Sequence, residues 1–265
     1  MTAYIDTHVH LYDEAYDADF WEVTERMKQA GVTGCVLPAI DSAYFERQEQ
    51  CAEKCGGYAV QAMGLHPTSV GKNWREELDF ALGKLYEGNR SPDGKRRYVA
   101  VGEIGLDGYW SREFMKEQAE VLQEQLKAAS ELDLPVIIHL REATEEMFDV
   151  LDKMKGLNIR GVFHAFSGSA ETFGRIRKYG RFMVGIGGVV TYKNAGVARA
   201  LENIPLENII LETDAPWLTP VPFRGKRNES SYIGYIAAEV TRIKGISMEE
   251  IACATTQNAR GLFGI

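Results

Sequence analysis

The stretch VLQEQLKAASELDLPVIIH at residues 121–139 joins an amphipathic segment to a short apolar run. Apolar residues recur at spacings of three and four from Val121 to Leu132, a pattern that predicts a helix with one buried face. The run at 135–139 starts with a proline and continues with β-branched residues, which predicts a buried strand. A helix that leads directly into a buried strand is typical of a parallel sheet covered by helices.

The same alternation continues on both sides of this stretch. Eight runs predict strands, at residues 3–10, 32–40, 59–66, 98–103, 135–139, 161–164, 182–187 and 209–214. Helical periodicity fills the intervals, and a final helix at 247–263 begins with a capping box formed by Ser247 and Glu250. Eight strands, each followed by a helix, within about 250 residues predict an α/β fold of the (β/α)8 TIM-barrel type.

A doubly wound sheet is the alternative for a chain in which strands and helices alternate. That fold requires a glycine-rich phosphate-binding turn after the first strand, but the residues at 6–10 read DTHVH. The sequence shows no internal repeat, no low-complexity tract and no domain boundary. We therefore expect residues 1–265 to form a single domain, with a surface loop at 88–97.

Composition and charge restrict the class of protein. The chain has 265 residues, of which 45% are hydrophobic and 26% charged, as in an ordinary globular domain. Neither a signal segment nor an apolar run of the roughly 20 residues that a membrane helix needs is present, so we expect a cytoplasmic protein without membrane contact. Four cysteines lack zinc-knuckle spacing, which indicates reduced thiols. The net charge of -8 disfavours a protein that coats duplex DNA, so any contact with nucleic acid must be local.

The histidines are the first indication of a site. All five, namely His8, His10, His66, His139 and His164, end predicted strands. In a TIM barrel the active site is built on this C-terminal face. His8 and His10 are two residues apart on one strand, so their side chains point the same way and can bind one cation. His139 and His164 end adjacent strands and can bind a second cation.

Two acidic residues complete the predicted site. Glu103 ends the fourth strand, and its two carboxylate oxygens can bridge two cations. The flanking Gly102 and Gly105 allow other groups to come close. Asp214 ends the eighth strand, where it can bind a cation through one oxygen and accept a proton from water at the other.

The six predicted ligands are His8, His10, Glu103, His139, His164 and Asp214. Four nitrogens and two carboxylates are sufficient for two divalent ions, about 3.5–4 Å apart, with a bridging hydroxide that attacks a phosphorus or carbonyl centre. Imidazole-rich sites favour zinc, manganese or nickel over magnesium.

His66 is not needed as a ligand. It is a candidate catalytic residue that donates to a phosphate oxygen or acts as a general acid, and the alternative is a purely structural imidazole. Two loops are candidates for substrate binding. Arg224, Lys226 and Arg227 lie after the eighth strand, where barrels often bind phosphate, and the alternative is a solvated turn.

The second loop follows the fourth strand. Trp110 is a candidate platform for a nucleic-acid base, and Arg112 a candidate phosphate contact; the alternative for Trp110 is packing in the core. Arg141 lies two residues after His139 on the same predicted strand, so it is also expected to face the site.

These residues lie in motifs that resemble the TatD family of metal-dependent deoxyribonucleases, within the amidohydrolase-like barrels. The matching runs are DTHVHL at 6–11, GLHP at 64–67, GEIGLD at 102–107, LPVIIH at 134–139, FHAFSGS at 163–169, ETDAPWLTP at 212–220 and RGKRN at 224–228. The resemblance implies a (β/α)8 hydrolase that uses divalent metal to cleave phosphodiester bonds, mostly in DNA. The resemblance implies that the same six residues are the metal ligands, and it allows magnesium as the catalytic ion. Gly108, Ala165 and Ser230 depart from the family pattern at positions that touch no predicted ligand.

We therefore expect a divalent-metal-dependent deoxyribonuclease, a hydrolase of ester bonds whose partner is DNA or another phosphodiester substrate. We infer no obligate protein partner. The alternative enzyme is a metal-dependent ester or amide hydrolase, such as an aminoacyl-nucleic-acid deacylase. A catalytically silent metal-binding or scaffold protein is a third class, which the complete ligand set disfavours. Many related amidases use a carboxylated lysine as the bridge, but no lysine ends any of the predicted strands.

Overall fold

The strands form one parallel sheet that curves into a barrel. A computed structural model describes residues 2–90 and 95–265. Within these residues the strands pair in sequence order and are β1 (Tyr4–Asp6), β2 (Val32–Leu37), β3 (Ala59–Met63), β4 (Tyr98–Asp107), β5 (Val136–Arg141), β6 (Arg160–Phe163), β7 (Arg181–Ile186) and β8 (Ile209–Leu211). The predicted (β/α)8 barrel is confirmed, and the doubly wound alternative is wrong.

Each strand is followed by a helix, as the amphipathic intervals predict. The helices are α1 (Phe20–Gln29), α2 (Phe45–Cys55), α3 (Trp74–Asn89), α4 (Met115–Glu131), α5 (Thr144–Lys153), α6 (Ala170–Ile176), α7 (Gly196–Asn203), α8 (Ile233–Lys244) and α9 (Met248–Phe263). The capping box of Ser247 and Glu250 is present at the start of α9. The predicted loop at 88–97 starts later, because α3 continues to Asn89, and its residues 91–94 lie outside the described residues. In the described part of the chain, no helix has the length and apolar character to cross a membrane.

The barrel interior is a small apolar layer separate from the larger core between strands and helices. Its members are Ile5, Val36, Ala62, Ala100, Ile137, Val162, Ile210, Ala259, Leu262 and Phe263. The last three belong to α9, and they pack against residues near the starts of strands, including Val60 and Val99. The end of α9 therefore covers the N-terminal opening of the barrel, and the opposite opening is left for chemistry.

The first and last strands meet at a seam that closes the barrel. The Thr7 amide and hydroxyl both donate to the Leu211 carbonyl, at 3.1 and 2.9 Å, and Val9 forms a parallel bridge with Ala215. Both strands are shorter than predicted, since β1 ends at Asp6 and β8 at Leu211. Beyond these points the pairing is irregular, because the Thr213 amide donates to the Asp6 carboxylate at 2.9 Å, so His8, His10 and Asp214 lie in loops just past their strands.

β4 is longer than predicted and irregular where it carries Glu103. Val101 pairs with Val136 and Ile104 with Ile138, so β4 contains one residue more than β5 over this interval. Such a bulge redirects a side chain, here that of Glu103. A Cβ on Gly105, whose φ is 149°, would lie 1.9 Å from the His139 carbonyl oxygen, so only glycine permits this approach of β4 to β5.

Candidate active site

Three residues from two strand ends converge on one side of the Glu103 carboxylate. The His8 Nε2 lies 3.1 Å from Glu103 Oε2 and 3.1 Å from the His10 Nε2. Asp214 Oδ1 lies 3.6 Å from both of these ring nitrogens. The backbone of Asp214 adopts a left-handed conformation, with φ of 56°, and its amide donates to the His8 carbonyl at 2.9 Å. That contact brings β8 against β1 and places the carboxylate beside the two imidazoles.

The other oxygen of Glu103 faces a second set of imidazoles. Oε1 lies 2.9 Å from His139 Nδ1, 3.3 Å from His66 Nε2 and 3.5 Å from His164 Nε2. The His8 and His164 rings stack with centroids 3.6 Å apart, which joins the two halves. The other six residues predicted as ligands or catalytic groups therefore lie around the buried carboxylate of Glu103.

Burial and neighbouring charges set the protonation states of the two carboxylates. Burial raises the pKa of Glu103, but the imidazoles of His66, His164 and His8 outweigh it and hold that pKa well below its usual range. The pKa of Asp214 responds in the same way: burial raises it, and the nearby imidazoles, His164 first, lower it below the ordinary value. Both groups are therefore ionised at neutral pH.

The imidazoles divide into two kinds. Burial lowers the pKa of His8 and of His66, so both rings are neutral near pH 7. Burial also disfavours the charged form of His164, but Glu212 and Glu103 outweigh it and raise its pKa to about 10. Burial likewise disfavours the charged form of His139, but in that form both ring N–H groups meet a carboxylate, Asp107 and Glu103, which raises the pKa of His139. A cation that binds beside these two rings therefore competes with a proton.

The nitrogen that faces away from the centre fixes the tautomer of several rings. Tyr12 donates its hydroxyl to the Pro38 carbonyl at 2.5 Å, so its oxygen accepts from His10 Nδ1 at 2.8 Å. His164 Nδ1 lies 3.1 Å from Glu212 Oε1, which also accepts from the Ala165 amide. His10 therefore holds a proton on Nδ1, and its Nε2 is the atom that can offer a lone pair to the centre. His164 also turns Nε2 toward the centre, 3.5 Å from Glu103 Oε1, and that nitrogen can bind a cation once it has lost its proton.

His66 has the opposite arrangement. The Thr68 amide donates to His66 Nδ1 at 3.1 Å, so the neutral ring carries its proton on Nε2. That N–H points toward Glu103 Oε1. His66 therefore presents a hydrogen-bond donor to the centre, and its role as a donor stays a prediction.

Sequence reasoning missed the residues that orient the imidazoles. Asp107 Oδ2 lies 2.8 Å from His139 Nε2, Glu212 contacts His164, and Tyr12 contacts His10. Asp107 and Glu212 are acidic residues at strand ends, the signal by which Glu103 was recognised, so the same rule identifies them. Asp6 is a further one: it accepts from the Thr213 amide at 2.9 Å and from the Ser230 hydroxyl at 2.5 Å, which links β1 to the loop after β8.

The donor set fits a divalent cation. Ligand atoms lie within 4.8 Å of one another in three groups, namely His8, His10 and Glu103; His8, His164 and Asp214; and His66, Glu103 and His139. His10 holds a proton on Nδ1, so Nε2 is its candidate ligand atom, and it lies 3.1 Å from His8 Nε2, 3.6 Å from Asp214 Oδ1 and 3.9 Å from Glu103 Oε2. Buried lone pairs and negative oxygens that converge in this way are stabilised by a bound cation. Mixed imidazole and carboxylate ligands suit transition metals and zinc.

Exposed aromatic side chains lie on the loops around the site. Trp110 is 71% exposed and Tyr109 48%, so the alternative that Trp110 packs in the core is wrong. The Arg141 guanidinium lies 3.5 Å from the centre of the Tyr109 ring. Trp217, which sequence reasoning did not single out, is 46% exposed and its ring centre lies 4.8 Å from that of His10. These groups offer flat surfaces and a positive charge beside the ligands.

The remaining predicted substrate contacts have different surroundings. Arg112 forms an ion pair with Glu146 and donates to the Glu142 carbonyl at 3.0 Å. Arg227 binds Asp19 through two hydrogen bonds of 2.7 Å each.

Arg224 and Lys226 lie over aromatic rings, with cation-to-centre distances of 4.3 Å to Tyr192 and 5.8 Å to Phe223. Within residues 2–90 and 95–265, neither of them has a carboxylate within ion-pair distance. Their charges are therefore the more available ones on this loop.

Comparisons with known proteins agree with this geometry. Residues 5–264 match the family described as TatD related DNase. The chain is 38% identical over 261 residues to the uncharacterized metal-dependent hydrolase YabD of Bacillus subtilis, with 98% of each chain covered. It is 32% identical over 266 residues to the 3'-5' ssDNA/RNA exonuclease TatD of Pantoea ananatis, covering 98% of this chain and 99% of the relative. The crystal structure of YJJV, a TatD homolog from Escherichia coli K12, superposes with a TM-score of 0.86 at 30% identity, covering 99% of this chain and 98% of that one.

Proposed function

Because this chain belongs to the TatD-related DNase family and is a metal-dependent hydrolase, we propose that it is a nuclease that cleaves phosphodiester bonds in DNA with two divalent cations. The observation that carries the proposal is the position of Glu103, whose two oxygens face two different sets of imidazoles. We propose further that residues 1–265 form one hydrolase domain, since strands from both ends of the chain belong to one sheet.

Two sets of residues would hold the proposed cations. His8, His10, Glu103 and Asp214 would hold one, and Glu103, His139 and His164 would hold the other. Divalent cations bound there supply Lewis acidity and a water nucleophile at neutral pH. Zinc, manganese and nickel fit the donor set best, and magnesium is the further candidate.

The chain's own residues supply the proton transfers and the charge stabilisation. Asp214 is ionised and turns Oδ1 toward His8 and His10, so Oδ2 is the oxygen that accepts the proton of the attacking water. His66 presents its Nε2–H to the centre, where it donates to an oxygen of the phosphoryl group as negative charge develops. The two side chains act on different atoms, and neither needs to change its protonation state before the reaction begins.

The exposed groups on the surrounding loops bind the nucleic acid in this proposal. Bases stack on Trp110 and Trp217, since every base offers a flat face to an aromatic ring. Arg141, Arg224 and Lys226 contact phosphates. Arg112 and Arg227 are the weaker candidates for phosphate contacts, because Glu146 and Asp19 already pair with them.

A metal-reconstitution assay tests the proposal. Protein stripped with a chelator is supplied in turn with zinc, manganese, nickel and magnesium, and is offered a labelled DNA oligonucleotide or an aminoacyl ester. We expect cleavage of the oligonucleotide only in the presence of metal. Cleavage of the aminoacyl ester without cleavage of the oligonucleotide would instead identify a deacylase, and bound metal with no turnover of either substrate would contradict a hydrolytic site of this kind.

A further inference from the structure

The carboxylate of Asp107 lies between the His139 ring and the loop after β4. Its Oδ2 is 2.8 Å from His139 Nε2, and its Oδ1 accepts from the amides of Tyr109 and Trp110, at 2.9 and 3.0 Å. The side chain is 1% exposed. Gln118 on α4 holds the backbone of Asp107 at both its amide and its carbonyl. The carboxylate is therefore fixed in position and in orientation.

This arrangement determines which nitrogen of His139 carries the proton. Three N–H groups converge on the Asp107 carboxylate, so the carboxylate acts as an acceptor and the ring donates from Nε2. In the neutral ring, the form that binds a cation, the lone pair then lies on His139 Nδ1, which is 2.9 Å from Glu103 Oε1. His10 and His164 are held the other way, with Nε2 toward the centre.

We propose that Asp107 is a positioning residue that fixes the His139 tautomer in which Nδ1 is free to bind a cation. This inference rests on the metal centre of the proposed function, and not on the identity of the substrate. A carboxylate behind a metal-binding imidazole orients the ring and increases its basicity, and loss of such a partner commonly costs 10–100-fold in metal affinity.

Asp107→Asn is the informative variant because the loop fixes the orientation of the new amide. The Tyr109 and Trp110 amides require an oxygen at the Oδ1 position, so the amide nitrogen must face His139. The neutral ring must then accept at Nε2 and carry its proton on Nδ1, directed at Glu103. We expect zinc affinity at one site to fall 10–100-fold. Asp152→Asn is the matched control, since that exposed carboxylate also accepts a hydrogen bond, from Tyr179, and we expect unchanged zinc binding.

Nitrogen-15 NMR of histidine-labelled, zinc-loaded protein reads the tautomers directly, and the chain has only five histidines. In the wild-type protein we expect His139 to carry its proton on Nε2, whereas His10 and His164 carry it on Nδ1. In Asp107→Asn we expect the His139 proton on Nδ1.

The wild-type spectrum alone decides the case if the variant does not fold: a proton on His139 Nδ1 in the zinc-loaded protein overturns the inference. Wild-type zinc affinity in a folded Asp107→Asn overturns it as well. No nucleic acid is present in these measurements, so failure of the proposed nuclease activity would be seen separately. A wild-type protein that binds none of zinc, manganese, nickel and magnesium would remove the metal centre, and with it both proposals.

Discussion

At the scale of single residues, Glu103 is the ligand on which binding of both proposed cations depends. Its two oxygens face the two groups of imidazoles, so Glu103→Ala removes a ligand from both proposed cations rather than one. We expect total metal content after dialysis to fall toward zero, measured by elemental analysis. Glu131→Ala, which changes an exposed glutamate bound to Tyr86, serves as control. Two tightly retained ions in Glu103→Ala would exclude a bridging role.

Asp214 separates proton transfer from metal binding. Asp214→Asn keeps an oxygen ligand but cannot accept a proton near neutral pH, so we expect kcat to fall by about 10²-fold or more. Circular dichroism and metal content should match those of the wild-type protein. Turnover close to wild type with metal supplied would show that another group is the base.

Glu229 gives a pH dependence of stability away from the metal centre. Burial raises its pKa, but hydrogen bonds from Arg26, the closest at 2.6 Å, outweigh burial and hold the pKa below the ordinary value. A lowered pKa means that the ion pair stabilises the fold above the unfolded-state pKa, near 4.3, and that this contribution is lost as the pH falls through the folded-state value.

We therefore expect Glu229→Gln to lower the free energy of unfolding at pH 7 by about 1–2 kcal/mol, a modest figure because Arg26 is partly exposed. Urea unfolding at pH 7 and at pH 3.5 measures it, and the gap between variant and wild type should narrow at the lower pH. A gap that is constant with pH would mean that packing, and not charge, is responsible.

The sequence identified the candidate metal ligands, but not the residues that hydrogen-bond to those ligands. Histidines and acidic residues at strand ends could be identified because barrel topology sends those ends to one face. Tyr12 could not, since it reaches His10 Nδ1 through a turn whose path depends on tertiary packing. The roles of the basic residues were equally hidden, because the pairing of Arg227 with Asp19 joins positions 208 residues apart.

At the scale of elements, the loop after β8 combines two functions. Arg224 and Lys226 project from it over aromatic rings, whereas Arg227 anchors it to Asp19. We expect Arg224→Gln combined with Lys226→Gln to raise KM for an oligonucleotide. The slope of log affinity against log salt should shrink by up to about 0.7 per lost contact with single strands.

Arg227→Gln is the comparison for that double variant. It removes the bonds to Asp19 and to the Ala15 carbonyl, so we expect a lower Tm with little change in the salt slope. If the double variant leaves both the slope and KM unchanged, Arg224 and Lys226 belong to a solvated turn, and substrate binding must come from the metals, His66 and the aromatic residues.

The periodicity of the sequence predicted which segments form strands and helices, but it did not predict the residues at which the strands end. β1 and β8 stop early because the Asp6 carboxylate accepts from both the amide and the hydroxyl of Thr213, which takes that amide out of the strand pairing. β4 continues to Asp107 because its pairing with β5 resumes after the bulge at Glu103. Both effects depend on partners distant in sequence, which a single-sequence pattern does not contain.

At the scale of the whole molecule, the two ends of the barrel have separate tasks. Leu262 and Phe263 at the end of α9 fill the N-terminal opening. The opposite opening holds the five histidines together with Glu103 and Asp214. The chain carries a net charge of -8, and its proposed nucleic-acid contacts lie on the loops around one opening. We therefore expect the substrate to approach the barrel from that end. Binding of nucleic acid then requires no second positively charged surface.

The seam between β1 and β8 also has a consequence for the order in which the protein folds and gains the ability to bind metal. Its hydrogen bond from Thr7 to Leu211 joins residues 204 apart, whereas neighbouring strands are joined through single helices. Contacts of such long sequence separation form late, since the whole loop must close first. His8 and His10 stand on one side of the seam and Asp214 on the other, so the ability to capture zinc should be the last property that a refolding chain acquires. In a stopped-flow experiment a zinc-sensing dye should respond after far-UV circular dichroism has reached its plateau, and simultaneous signals would show that the ring closes early.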